Sequence, residues 1–401
     1  MSPGRHGVVT PAGTRSTVRR SAAGTASVAA MPSRSLRLGL VVALVATGLG
    51  VAAVSQSAGA SGPSVTSISA SGHSYTPQSV NGATDDYHCT LVDPHVTRSR
   101  YIVSSQFFPN SPEVHHAILA LVPVSLAGAA RSADDHGKGW TCFGQPNLPV
   151  SATNGFTNSE WLTVWVPGRK LDPEPAGTGM LLPAGSLIVE QVHYNLLKGH
   201  RPVHASLRLD TVPASAHLAA LTIQQAVDPP DVPCPTGVTG PLCDRAAAIA
   251  DLGHRFGAGA VLETDVIEAM CGHDPSNPPV GVTTTCVHPA DPGWKILRIT
   301  PHMHLTGASF KVTLNPGTPG ARTLVDVAHF NFDDQRFYDL KTPVVTHRGD
   351  TLGVTCTYDP KLRQELPQLR RQPPRFVVWG DGSSDEMCQA IIESIKAVPH
   401  P

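Results

Sequence analysis

The chain lacks an excess of either charge. Lys and Arg number 30 against 31 Asp and Glu over 401 residues, a net −1, so no strongly basic surface offers itself to DNA or RNA. Several familiar signatures are also missing. There is no H-E-x-x-H, no G-x-S-x-G and no G-x-x-x-x-G-K-[ST], which excludes the usual zincin, α/β-hydrolase and P-loop sites. No C-x-x-C occurs, which argues against a thioredoxin-like redox site and against zinc knuckles. Gly and Pro, 36 and 37 residues, stay below the level that marks low-complexity chains. The run Leu38–Val54 is 17 residues long, the short end for a spanning helix.

Two residue types are abundant where they matter: 19 His and 8 Cys. The first sixty residues hold six Arg and no acid, then the apolar run, then Ala58-Gly59-Ala60. That order describes an export signal, either cleaved or retained as an N-terminal anchor. Beyond it the chain has 24 basic and 31 acidic side chains, net −7, and all eight Cys. Export to an oxidising compartment, extracellular or at the cell surface, makes an even Cys count read as disulfides.

Residues 61–80 read as a Ser/Gly-rich linker. After it, short β-branched or alternating segments recur between Pro and Gly: Tyr101–Phe107, His116–Val124, Trp161–Val166, Leu187–Leu196, Ala205–Val212, Trp294–Ile299, Ser309–Leu314, Thr351–Cys356 and Arg375–Trp379. This spacing predicts all-β sandwiches. Helical patterns fall on Arg245–Leu252 and Glu386–Ala397. A boundary near Val212-Pro213 divides the chain into 81–212 and 213–397. Residues 228–292 form a Pro/Cys-rich insertion in the second part, where the local pairs Cys234–Cys243 and Cys271–Cys286 would staple an irregular stretch.

Three groups of His lie on the expected strands. His302 and His304 are two apart, so both rings share one face and Met303 takes the other. His115 and His116 are adjacent and diverge in a regular strand; they share a metal only at a bulge or a strand end, which Pro112 upstream favours. Gln191 and Val189 share the face of His193, making Gln191 a candidate neighbour of any metal there. Spacing alone supports a metal and leaves zinc and copper both open.

Four motifs then occur in order: HHAIL at His115, LIVEQVHYN around His193, PHMHLTG around His302, and GSSDEMC around Met387. Together they resemble the copper type II, ascorbate-dependent monooxygenases, the family of the peptidylglycine α-hydroxylating and dopamine β-monooxygenases. The resemblance implies two antiparallel β-sandwich domains of jelly-roll type, with two coppers per chain. His115, His116 and His193 would hold the copper that stores and delivers an electron. His302, His304 and Met387 would hold the copper that meets O2 and substrate, the soft thioether favouring Cu(I). It also implies a Cys356–Cys388 disulfide, leaving Cys89 and Cys142 for each other. The implied partners are a small organic substrate, O2 and ascorbate or another one-electron reductant. A membrane enters only if the leader is retained. A non-enzymatic exported copper-binding or storage protein is the alternative.

The chain departs from the peptidylglycine enzymes at their substrate anchors. Thr300 stands where they carry an Arg two residues before the H-x-H, the nearest Arg being Arg298. Gln389 and Ile391 replace an Asn and a Tyr after the Met. A peptidylglycine substrate is therefore not expected.

Overall fold

The computed structural model describes residues 64–71, 74–143, 148 and 161–397. The leader expected over 1–60 lies outside them. Among the described residues no helix is long and apolar enough to cross a membrane.

The fold is all-β, built from three large sheets. A five-stranded sheet runs Trp140–Thr141, Asp85–Val92, Leu187–Asn195, Val114–Val122 and Trp161–Trp165. A four-stranded sheet runs Thr283–Pro289, Thr351–Tyr358, Gly307–Leu314 and Arg322–Val327. A nine-stranded sheet takes strands from both sides of residue 212. Its two halves meet where Ala219–Leu221 pair in parallel with Thr178–Met180.

Each half of the long sheet has its own core. Ile102, Leu182, Leu207 and Leu209 pack with Leu119, Leu162 and Ile188 of the five-stranded sheet. Ile299, Met303, Ala390 and Ile392 pack with Phe310, Val312, Val354 and Tyr358 of the four-stranded sheet. Alternation is visible in the pattern itself. Along Cys388–Lys396, Cys388, Ala390 and Ile392 enter the second core, while Gln389 and Ile391 turn to a cavity on the opposite face.

This last segment corrects an expectation. Glu386–Ala397 reads as helical by spacing, yet Cys388–Lys396 is a central strand between Ala219–Val227 and Trp294–Met303. Its Ile residues suit a pleated surface, and pairing on both edges outweighs local periodicity. The polar positions are absorbed: Glu393 lies 3.5 Å from Arg298, and Ser394 donates to Gln224.

The 228–292 stretch is also more regular than expected. It folds into the helices Arg245–Phe256 and Ala258–Met270 and the edge strand Thr283–Pro289. Asp244 caps the first helix by accepting from the Ala247 N–H at 2.8 Å. Gly257, with φ +91°, takes the turn between them, a conformation most residues resist. Four disulfides close the fold: Cys89–Cys142, Cys234–Cys243, Cys271–Cys286 and Cys356–Cys388.

Candidate metal centre

The strand Val114–Val122 slips register against Leu187–Asn195 between Val114 and His116. His115 is the extra residue of a bulge, which re-aims its ring from the core face to the face of His116. Its ring lies near His193, with the two Nδ1 atoms 2.9 Å apart. His115, His116 and His193 can all offer ligand atoms within 4.8 Å of one another.

Asp85 sets the chemistry of His193. The His193 Nε2–H donates to Asp85 Oδ1 at 2.9 Å, which leaves the Nδ1 lone pair pointing inward. The same oxygen accepts from Ser383 N at 3.0 Å and Ser383 Oγ at 2.6 Å. Burial pushes the Asp85 carboxyl up, but His193 and Ser383 outweigh it and hold it below its usual range. Tyr87 stacks on His193 and Phe332 on His115, with centroids 4.1 and 4.4 Å apart, so the imidazoles are fixed from behind.

His302 and Met303 behave as strand geometry requires: Met303 is in the second core and His302 faces the cavity. His304 follows directly at the strand end. Gly307 closes the PHMHLTG turn so tightly that a Cβ there would meet the Met303 Cβ at 2.8 Å. Gln335 orients His302. Its Nε2 donates to the Phe332 carbonyl, so its Oε1 accepts from His302 Nδ1 at 2.8 Å, leaving His302 Nε2 without a proton.

Met387 lines the cavity with His116 and His302. Its loop is held on three sides. Asp385 accepts two bonds from Arg255, at 2.6 and 2.7 Å, and one from Arg375 at 2.9 Å. Glu386 accepts from the backbone of His304 and Thr306 and from the Thr306 hydroxyl, at 2.6–2.9 Å. Cys388 is bridged to Cys356. The loop is thus tied directly to the H-x-H turn.

The two His sets are contiguous. Ring centroids of His116 and His302 lie 5.6 Å apart, and those of His115 and His304 lie 5.8 Å apart. Four imidazole nitrogens are buried with no partner: His115 Nε2, His116 Nδ1 and both of His304. Burial holds these rings neutral, with His302 drawn down to about 4 and His304 to about 3. Neutral imidazoles with lone pairs directed into one space, beside a thioether, form a donor set that fits copper.

The cavity is mostly apolar, walled by Ile118, Trp161, Val164, Val227, Ile267 and Ile391. Ala258–Met270 supplies one wall, so the insertion lines the site. Among the described residues no Lys or Arg lines it, while Glu263 and Asp381 do. Burial raises both carboxyls. Arg298 is engaged elsewhere, with Asp339 at 2.7 Å and Asp172 at 3.3 Å. Gln191 lines the cavity and gives its Nε2 to the Cys142 carbonyl at 2.8 Å.

Residues 274–398 match the model of the copper type II ascorbate-dependent monooxygenase C-terminal domain. The match spans His302, His304 and Met387, and it supports a copper monooxygenase of this family. The His115, His116 and His193 set lies before the matched region. No curated protein matches the chain significantly. Among solved structures, an allantoicase is 12% identical, with 81% of each chain covered and a TM-score of 0.20. The allantoicase of Saccharomyces cerevisiae is 10% identical, with 80% of each chain covered and a TM-score of 0.19. The infectious bursal disease virus VP2 subviral particle is 8% identical, with 85% of this chain and 74% of that one covered and a TM-score of 0.20. Overlaps this low carry no functional argument.

Asp85, Arg255, Gln335, Asp385 and Glu386 were not singled out by the sequence reading. The last two stand immediately before Met387, and Asp85 opens a strand otherwise marked only by Cys89.

Proposed function

We propose that the chain is an exported copper-dependent monooxygenase. It inserts one oxygen atom of O2 into a C–H bond of a small apolar organic substrate. The other oxygen leaves as water, with two electrons from a one-electron reductant such as ascorbate and two protons. We take the division into 81–212 and 213–397 as its two domains, each contributing one ligand set: His115, His116 and His193, then His302, His304 and Met387.

The observation that carries this reading is the contiguous cluster of five imidazoles and one thioether, with four orphaned nitrogens, opening on an apolar cavity. Copper, when bound, supplies one-electron transfer and O2 reduction. The residues supply the rest. Asp85 and Gln335 fix ring tautomers, Glu386 holds Met387 against the H-x-H turn, and the apolar walls keep water from the reacting C–H bond. Among the described residues no Lys or Arg lines the cavity, so none of them clamps a substrate carboxylate. Four disulfides suit an oxidising compartment.

The test is to measure copper per chain and O2 uptake with ascorbate. Two coppers and ascorbate-driven uptake that rises with an apolar substrate are expected. A single metal, or zinc, refutes the two-copper reading.

A further inference from the structure

The Met387 loop has a second cavity behind it, away from the imidazoles. It is lined by Cys234, Pro235, Arg363, Arg370, Gln372 and Arg375, among others. Arg363 is only 7% exposed. Its Nη1 donates to the Ser384 carbonyl at 2.6 Å, while its Nε and Nη2 are buried without a partner. Among the described residues no carboxylate forms an ion pair with it. Arg375 gives Nη1 to Asp385 and Nη2 to Asp251, and its Nε is likewise buried and unpartnered. Arg370 is exposed and pairs with no acid among the described residues.

The charges around this cavity do not balance. Arg255, Arg363 and Arg375 face Asp251 and Asp385, and Arg370 adds a further positive charge at the rim. Counting Glu386, which accepts from His304 and Thr306, four guanidinium groups still stand against three carboxylates. Burial, then the neighbouring Arg375, draws the Arg363 guanidinium down to about 10. A buried guanidinium with two idle N–H groups costs folding free energy unless something accepts from them.

We propose that this cavity binds a small oxyanion of carboxylate or phosphate type, held by Arg363 and Arg375 with Arg370 at the entrance. The planar guanidinium fork matches such groups, and Gln364 and Gln372 add neutral donors. The site shares no residue with the copper ligands and does not depend on their assignment. It does touch their support: Arg363 holds Ser384, three residues before Met387, so an anion here braces the loop that carries the thioether.

The test is calorimetric titration of the copper-loaded chain at constant ionic strength, with inorganic phosphate and, separately, malonate. Glycerol serves as the uncharged control. Saturable one-to-one binding of at least one anion is expected. Binding of phosphate alone identifies an inorganic anion, and of malonate alone an organic carboxylate. Arg363→Gln should weaken it about tenfold, as loss of a charge-assisted bond implies, and Arg370→Ala, which leaves copper content unchanged, about threefold. Absence of saturable binding by either anion overturns the proposal. So does unchanged affinity in both variants, or in Arg370→Ala alone if Arg363→Gln does not fold.

Discussion

Replacing Asp385 by Asn should destabilise the protein and detach Met387 without touching a single ligand. Asp385 is buried and takes three bonds from Arg255 and Arg375. Burial pushes its carboxyl up, but the two guanidinium groups prevail and hold it at about 2, against 3.8 for an ordinary Asp. That gap of nearly two pH units, at about 1.4 kcal/mol each, corresponds to about 2 kcal/mol of stability. Breaking a buried pair outright costs about 3–5 kcal/mol. Asn keeps one acceptor, so a loss of about 2–4 kcal/mol is expected at pH 7. The sign with pH follows from the lowered value. The contribution is complete above 3.8 and fades as pH falls through about 2, so the gap between wild type and variant narrows in acid. Urea unfolding at pH 7 and at pH 3, with equal slopes, measures both. A difference below about 0.5 kcal/mol at pH 7, or one that does not shrink in acid, refutes the clamp.

Other outcomes follow from the same geometry. Met387→Ala should abolish ascorbate-driven O2 uptake while one copper per chain remains on the three-His set; metal analysis alongside O2 electrode traces decides this. Asp85→Ala removes the acceptor that fixes the His193 tautomer, and copper affinity should fall about 10–100-fold in competition with a chelator. Paired replacement of Cys356 and Cys388 by Ala should cost about 2–4 kcal/mol in a denaturant titration, on the usual scale for a lost disulfide. Ile118→Arg places a cation in the cavity wall. Substrate-dependent uptake should collapse while copper content stays at the wild-type value.

The strands that alternate or carry β-branched residues were legible because their own side chains report two faces, as in Ser309–Leu314 and Leu187–Leu196. The His115–His116 irregularity was legible too, since adjacent His can serve one metal on a strand only at a bulge or a strand end, and the bulge is what forms. What escaped was set by partners distant in sequence. Nothing in Cys388–Lys396 shows that it lies between two other strands, and its Ile spacing also fits a helix. Glu386 reads as a solvated acid until its three donors from the H-x-H turn are seen. Arg255 lies 130 residues from Asp385, so its clamp is a product of folding alone. The candidate ligands stand out through the order of their motifs, whereas the residues that hold them are scattered along the chain.

The insertion gains its meaning from that scatter. Arg245–Phe256 is marked as helical by its spacing, Ala258–Met270 is not, and both act on the site. Arg255 of the first fixes Asp385 and so the Met387 loop. The second walls the cavity with Ile267 and with Glu263, whose carboxyl is pushed up by burial. A passive surface elaboration would do neither. Because both helices meet the site through side chains rather than through sheet pairing, changes there should alter substrate preference and Met387 placement while leaving the β framework intact. That separates this segment from the strands, where any change to a face disturbs a core.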